Sequence, residues 1–213
     1  SEIITTTDGY TTTDTFFYND GDGLDDNKLT SSTSEYSYDN GQSYLNNTSN
    51  FIYTNNRIAR VDTYEGSSNN MARQMEFDYD SQGRLTNIQR CYYYDNSSTC
   101  SDPTISSLSY SNNNKTITET YSSSYEGQLE YTGTRVWQLD NNGNFSSAVD
   151  IESYDDDGDG VFESEDETNI SFEHDNFNNP FSGIAGANAR VIFELYNNEY
   201  SSALSWGAFN NLT

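Results

Sequence analysis

The chain has 213 residues, with 34 acidic side chains against nine basic ones and a formal net charge of −25 at neutral pH. So large a negative charge argues against nucleic acids and anionic membrane surfaces as partners, because both are polyanions. Apolar residues make up only 32% of the chain, yet it contains 18 Tyr and 11 Phe. This aromatic content disfavours disorder and indicates a folded, β-rich protein. No apolar run is long enough to insert into a membrane.

The first 18 residues are rich in threonine and in strand-forming residues, among them Ile3, Ile4, Tyr10 and Phe16. We predict an extended strand or arm over residues 1–18. It is either an ordinary first strand or a strand donated to the exposed sheet edge of a neighbouring copy, where unpaired backbone groups are satisfied. Donation from each copy to the next would give an open head-to-tail fibre.

A short acidic segment follows the arm. Asp20, Asp22 and Asp26, with the backbone carbonyl of Leu24, are spaced like part of a calcium-binding loop. Tyr18 occupies the position of the first ligand, so this candidate site lacks one carboxylate.

Clusters of Asn, Asp, Gly and Ser recur about every 14–15 residues and indicate turns. Between these clusters apolar residues fall at alternate positions, which lie on one face of a strand. Examples are Met71, Met75, Phe77 and Tyr79; Leu129, Tyr131, Trp137 and Leu139; and Val149 and Ile151. This alternation is the period of a half-buried strand. We predict an all-β fold with little helix: an antiparallel meander of about ten or more strands, as an open or curled sheet or a sandwich. The meander domain covers residues 19–182, and residues 183–213 add a C-terminal loop and closing strands.

The two cysteines, Cys91 and Cys100, flank eight mostly polar residues. No Cys-x-x-Cys motif and no second pair of cysteines is present for a zinc site. We therefore predict a disulfide, formed in an oxidising compartment. The protein is expected to be extracellular or on the cell surface, with its signal sequence already removed.

The strongest site signal is the acidic stretch at residues 155–166. Counted from Asp155, carboxylates fall at loop positions 1, 3, 5, 9 and 12, a glycine falls at position 6, and position 7 supplies a backbone carbonyl. The predicted ligands are Asp155, Asp157, Asp159, Val161, Glu163 and Asp166. Oxygen ligands at this spacing suit Ca²⁺, and the stretch resembles EF-hand-like and thrombospondin-type calcium loops. It departs from an EF-hand because Asp166 stands where the bidentate Glu is expected, and because strands flank it.

A second resemblance lies in residues 77–88, Phe-Asp-Tyr-Asp-Ser-Gln-Gly-Arg-Leu-Thr-Asn-Ile. This segment resembles a tyrosine–aspartate (YD, or RHS-type) repeat of secreted bacterial proteins, and residues 53–58, 110–117 and 139–145 are partial copies. The chain also resembles β-meander surface proteins of Bacteroidota. The resemblance implies a β-meander fold, with Tyr ending one strand, Asp/Asn-Gly forming the turn and Arg-Leu-Thr opening the next strand.

Catalytic motifs are absent from the sequence. The single histidine, His174, lies between two acids, and there is no nucleophile elbow, zinc-protease helix or phosphate loop. We therefore expect no enzymatic activity. Aromatic side chains could stack on sugars, although core and cross-strand packing is the favoured explanation for them. The candidates are Trp137, Trp206, Tyr92, Tyr93 and Tyr94. Glycosylation sequons begin at Asn46, Asn47, Asn96, Asn114, Asn144, Asn169 and Asn211.

These observations favour an extracellular structural protein, a calcium-stabilised subunit of a fibre or surface assembly that self-associates and is joined by N-terminal strand donation. The alternative is a monomeric, adhesive surface lipoprotein that binds glycans.

Overall fold

A computed structural model of the chain describes residues 2–7, 10–18, 28–38, 41–94, 99–100, 103–125, 128–140 and 145–171. These residues form twelve β-strands and no helix. In chain order the strands are β1 (Glu2–Thr7), β2 (Tyr10–Tyr18), β3 (Leu29–Tyr38), β4 (Ser43–Thr54), β5 (Arg57–Glu65), β6 (Met71–Tyr79), β7 (Leu85–Tyr92), β8 (Thr104–Ser111), β9 (Thr116–Tyr125), β10 (Gln128–Leu139), β11 (Phe145–Tyr154) and β12 (Ser164–Ser171). Within these ranges no helix has the length and apolar character that crossing a bilayer requires.

Hydrogen bonds join the strands in sequence order from β1 to β12. Every strand pair whose register is described is antiparallel. The predicted all-β antiparallel meander is therefore confirmed.

Connections rich in asparagine and glycine reverse the chain between strands. Asn55 and Asn56, between β4 and β5, have φ of 51° and 68°, and Gly83, between β6 and β7, has φ of 86°. Tight hairpins need such left-handed conformations, which Asn and Gly adopt at the least cost. The same physics allowed these turns to be located from the sequence.

The described strands belong to two compact units. Unit 1 comprises residues 1–76 and 90–101, and unit 2 comprises residues 77–89 and 102–213. Unit 1 thus contains β1–β5 with parts of β6 and β7, and unit 2 contains the other parts of β6 and β7 with β8–β12. The predicted C-terminal segment at 183–213 lies outside the described residues.

The N-terminal segment of unit 1 is a hairpin, where the sequence predicted one extended strand. β1 pairs with β2 along its whole length, and β2 pairs with β3. On β2 the side chain of Phe16 is buried, whereas that of Phe17 is exposed. The side chains of Ile3, Ile4 and Tyr10, the other predicted arm residues, lie outside the description.

A row of apolar side chains forms the core of unit 1. Phe51, Val61 and Met75 are neighbours across β4, β5 and β6, and all three are buried. Burying such a side chain contributes roughly 1.5–3 kcal/mol. One carboxylate, that of Asp62, is also buried; it accepts a hydrogen bond from Gln74 Nε2 (3.0 Å) and pairs with Arg60 (3.0 Å). The buried charge is therefore compensated, as burial requires.

In unit 2 the core is built around Trp137. It is fully buried on β10 between Ile117 of β9 and Ala148 of β11, its cross-strand neighbours. The small side chain of Ala148 leaves room for the indole. Four residues earlier on β10, the ring of Tyr121 covers Gly133 so closely that a Cβ atom there would lie 2.2 Å from Tyr121 Cζ. Glycine is required at this position because the ring occupies the space of a side chain.

The same tyrosine contact occurs once in unit 1 and once in unit 2. In unit 1, Tyr53 Oη donates to the carbonyl of Leu29 (3.0 Å) while Lys28 Nζ lies 5.3 Å from the ring centroid. In unit 2, Tyr110 Oη donates to the carbonyl of Leu85 (2.8 Å) while Arg84 Cζ lies 4.7 Å from the ring. In both cases a tyrosine from a later strand donates to the carbonyl of a Leu, and the basic residue before that Leu lies over the tyrosine ring. This contact gives the Arg-Leu part of the YD-like segment a packing role.

The turn of the same segment is held by Asp80. Its Oδ1 accepts from the backbone N–H groups of Gln82 and Arg84, both at 2.9 Å, and its Oδ2 accepts from Arg84 Nε at 2.7 Å. The backbone hydrogen bond from Arg84 is the main reason that the pKa of Asp80 is lowered from its usual value, and the guanidinium adds to the effect. Arg84 in turn donates to Asn114 Oδ1 (2.6 Å), which connects this turn to the next one in unit 2.

Candidate metal-binding loop

The strongest sequence candidate is the connection between β11 and β12. Two backbone hydrogen bonds fix its base: Glu163 N–H donates to the carbonyl of Tyr154 (3.0 Å), and Asp155 N–H donates to the carbonyl of Glu130 on β10 (3.0 Å). Residues 155–163 therefore form a loop anchored at both ends to strands of unit 2.

Asp155 organises the interior of this loop. Its Oδ1 accepts from the backbone N–H groups of Gly158 (2.8 Å) and Asp159 (3.1 Å), and its Oδ2 accepts from Gly160 N–H (2.8 Å). Gly158 and Gly160 have φ of 77° and 88°, a conformation that strains other residues. The two glycines let the chain curl around the first carboxylate, which is the local reason for the Asp-Gly-Asp-Gly sequence.

Four carboxylates converge as a result. One oxygen from each of Asp155, Asp157, Asp159 and Glu163 can be chosen so that all lie within 4.8 Å of one another. Asp155 is half-buried and the other three are exposed. Like charges at this spacing repel by roughly 1 kcal/mol per pair even in bulk water. A bound cation would remove that repulsion, and an all-oxygen set fits a hard divalent ion. The cluster could therefore hold a metal ion.

The remaining predicted ligands are not among these four carboxylates. Asp166 is in β12, exposed and directly opposite Glu152 of β11, so it is not one of the four converging carboxylates. Because β12 begins at Ser164, position 12 of the loop pattern, Asp166, lies in this strand and not in the loop. Val161 stays in the loop, where its N–H donates to Asp159 Oδ1 (2.8 Å). The other candidate, with Asp20, Asp22, Leu24 and Asp26, lies outside the described residues.

A buried polar network behind the loop was not found from the sequence. Arg135 on β10 pairs with Asp150 on β11 through Nε (2.7 Å) and Nη2, and its Nη1 lies 3.8 Å from Glu119 on β9. Burial alone would lower the pKa of Arg135, but the charges of Glu119 and Asp150 outweigh it and raise the pKa. The alternating pattern in β11 predicts that Val149 is on the buried face, but Asp150 is buried instead. Its partner Arg135 lies on another strand, and only the register shows that pairing.

Two tyrosines complete the network. Tyr121 Oη lies 2.7 Å from Asp150 Oδ1 and 2.6 Å from Glu152 Oε1, and Tyr154 Oη donates to Glu152 Oε2 at 2.5 Å. Burial, and then the hydrogen bonds to the two carboxylates, raise the pKa of Tyr121. The hydrogen bond to Glu152 is the main reason that the pKa of Tyr154 is raised. Since Tyr154 is also the residue before Asp155, the network reaches the base of the loop.

The other predicted features are distributed over unit 1 and unit 2. Cys91 and Cys100 form the predicted disulfide, with Cα atoms 5.3 Å apart, so that prediction is confirmed. Trp137 is a core residue and cannot stack on a sugar. His174 and Trp206 lie outside the described residues. Tyr92 and Tyr93 are half-buried, and Tyr94 is exposed.

Comparisons with known proteins do not identify a family. No protein-family model matches the sequence, and no curated protein matches it. The chain is similar to a solved structure described as a porin-like protein from Bacteroides uniformis, with 14% sequence identity and a TM-score of 0.29, over 80% of this chain and 93% of that one. A TM-score this low establishes neither a shared fold nor a shared function.

Proposed function

We propose that the protein is an extracellular structural protein, a calcium-stabilised subunit that self-associates into a fibre or surface assembly through its N-terminal strand. The observation that carries the proposal is the position of β1. It is the first strand in the hydrogen-bonded order. Its one charged residue is Glu2 at its start, and residues 3–7 are Ile-Ile-Thr-Thr-Thr, with no charge and no proline. Natural edge strands usually carry charged residues or proline, which prevent association with other chains. A stretch of edge strand that has neither favours pairing with another chain.

The loop at 155–163 supports the calcium part of the proposal. Ca²⁺ accepts six to eight oxygen ligands in irregular geometry, whereas Mg²⁺ demands a tight octahedron. A nine-residue loop that brings four of its five carboxylates together suits the first better than the second. Extracellular sites bind Ca²⁺ with dissociation constants of about 10⁻⁴–10⁻³ M. At a tenfold excess of free calcium, such a site stabilises the fold by ~1.4 kcal/mol.

The disulfide and the charge support an extracellular location. Disulfides persist in oxidising compartments, and one is present between Cys91 and Cys100. A net charge of −25 keeps single copies apart unless cations screen it. Calcium would therefore act twice, at the loop and as a screening ion.

Deletion of residues 1–7 tests the proposal. The deletion removes β1 and leaves β2 paired with β3, so we expect a folded protein that no longer forms large particles in sedimentation velocity at millimolar calcium. The matched control replaces Thr5, Thr6 and Thr7 by Ser, which keeps the backbone and should keep assembly. A deleted protein that still assembles would contradict N-terminal strand pairing.

Glycan adhesion is the second candidate function, and one observation favours it. Tyr38 and Tyr44, both about half-exposed, form an edge-to-face pair with ring centroids 6.0 Å apart at the turn between β3 and β4. Exposed tyrosines present apolar faces to a ligand with little conformational entropy to lose. A monomer that is retained on polysaccharide, and released by Tyr38→Ala or Tyr44→Ala, would favour this function over assembly.

A further inference from the structure

Two tyrosine rings face each other between β10 and β11 of unit 2. Tyr131 and Tyr154 are directly opposite in the antiparallel register, so their side chains leave the sheet on the same face. Their ring centroids lie 6.0 Å apart, and the ring planes are tilted by 41°. Both residues are half-buried, which leaves part of each side chain open to solvent. The strand pairing therefore holds two phenols side by side at the surface.

One of these phenols has a base for its proton. Tyr154 Oη donates to Glu152 Oε2 at 2.5 Å, and Glu152 lies on the same strand, two residues earlier. Removing an electron from a phenol makes its hydroxyl strongly acidic, so oxidation is easiest when a hydrogen-bonded carboxylate accepts the proton in the same step. Glu152 is in position to accept it. The pair therefore combines two nearby rings with a proton acceptor, which favours the coupling of two phenoxyl radicals.

Two other tyrosine pairs differ in ring arrangement. Coupling joins the Cε carbons beside the two hydroxyls, so the edges of both rings must meet. The planes of Tyr121 and Tyr131 are at 72°. Those of Tyr38 and Tyr44 in unit 1 are at 80°, and in such an arrangement the edge of one ring points at the face of the other. Because Tyr38 and Tyr44 are the more exposed pair, they separate the effect of ring geometry from that of access.

We propose that Tyr131 and Tyr154 are a site of dityrosine formation, in which a one-electron oxidant that draws on hydrogen peroxide joins β10 to β11 covalently. Each phenol loses one electron and its hydroxyl proton, which passes from Tyr154 to Glu152 and from Tyr131 to water. The two radicals couple through their Cε carbons, and the hydrogen on each of these carbons moves to the phenolic oxygen. The two electrons and two protons lost reduce one hydrogen peroxide to two waters. The reaction occurs within one chain and is independent of the proposed self-association.

Oxidation of the full-length protein by a haem peroxidase and hydrogen peroxide, at low protein concentration, tests the inference. Dityrosine is detected by its fluorescence and by the loss of two hydrogen atoms from the mass of the monomer, and peptide mapping identifies the residues joined. The expected cross-link is between Tyr131 and Tyr154. Tyr131→Phe and Tyr154→Phe should each abolish it, because phenylalanine has no hydroxyl to oxidise. Tyr125→Phe, at an exposed tyrosine of β9, is the matched control and should leave it unchanged.

Glu152→Gln tests the carboxylate separately. Glutamine keeps an oxygen that can accept from Tyr154 Oη but is a far weaker base, so the initial rate of dityrosine formation should fall at least about tenfold. Tryptophan fluorescence, which reports on the buried Trp137, checks that each variant is folded. An unchanged rate in this variant would overturn the inference. So would a wild-type monomer that is cross-linked between Tyr38 and Tyr44 instead, or one whose tyrosines are oxidised without any cross-link.

Discussion

Replacing Gly133 by alanine should strongly destabilise unit 2. The added Cβ would lie 2.2 Å from Tyr121 Cζ and 2.4 Å from its Oη, far inside van der Waals contact. The ring must move, and its hydroxyl then loses its bonds to Asp150 and Glu152. Overpacking costs about 1–3 kcal/mol and a lost hydrogen bond to a charged group about 1.5–3 kcal/mol, against a gain of about 0.5–1 kcal/mol from removing a strand glycine. We expect a loss of about 3 kcal/mol.

Urea unfolding followed by tryptophan fluorescence measures this loss. The chain has two tryptophans, so a Trp206→Phe background leaves the fully buried Trp137 as the only reporter, next to the perturbed site in unit 2. The expected result is a lower midpoint at an unchanged slope.

A double-mutant cycle supplies the control for this prediction. In a Tyr121→Ala background the ring is gone, so Gly133→Ala should cost less than about 0.5 kcal/mol, and the coupling energy should approach the full single-mutant loss. If Gly133→Ala alone changes the free energy of unfolding by less than about 0.5 kcal/mol, or if the loss is the same without the ring, the packing of Tyr121 over Gly133 is not what requires glycine.

Three further predictions concern the loop, the repeat turn and the repeat contact. Asp155→Asn should weaken calcium binding in isothermal titration calorimetry at least tenfold, because one ligand charge is lost (about 1.4 kcal/mol or more), while Asp166→Asn should leave the affinity within about twofold. Asp80→Asn should reduce thermal stability at neutral pH. Because folding lowers the pKa of Asp80, its carboxylate stabilises the fold above pH 3.8, and this stabilisation is lost as the pH falls through the pKa of the folded state. Variant and wild type should therefore converge in acid, and a difference in stability that persists in acid contradicts the reasoning. Tyr110→Phe should cost about 1 kcal/mol in urea unfolding through the lost bond to the Leu85 carbonyl, and no change would mean that the hydroxyl contributes nothing.

The sequence was most informative where one strand could be interpreted without its neighbours. The alternation around Met75 and Phe77 predicted a strand with those residues inside, and both are buried while Glu76 is exposed. Turns were found because Asn and Gly adopt left-handed conformations that other residues avoid. The loop at 155–163 was found because its four clustered carboxylates come from one short segment. In each case the determining interactions are local.

Features that depend on pairing between strands were missed or misjudged. Asp150 is buried because Arg135 faces it from β10, a relation set by register. Tyr121 and Gly133 face each other across β9 and β10, and neither residue is informative alone. The loop spacing extends the predicted ligand set to Asp166, and the strand β12, which begins at Ser164, places that residue opposite Glu152.

Negative-stain electron microscopy of the full-length protein, in millimolar calcium and again after chelation, distinguishes an assembling protein from a monomer. We expect regular fibres or sheets with calcium that fray or disperse after chelation, because the loop at 155–163 and the acidic surface both lose their cations. Dispersed single particles under both conditions would contradict self-association, whatever the calcium affinity of the loop.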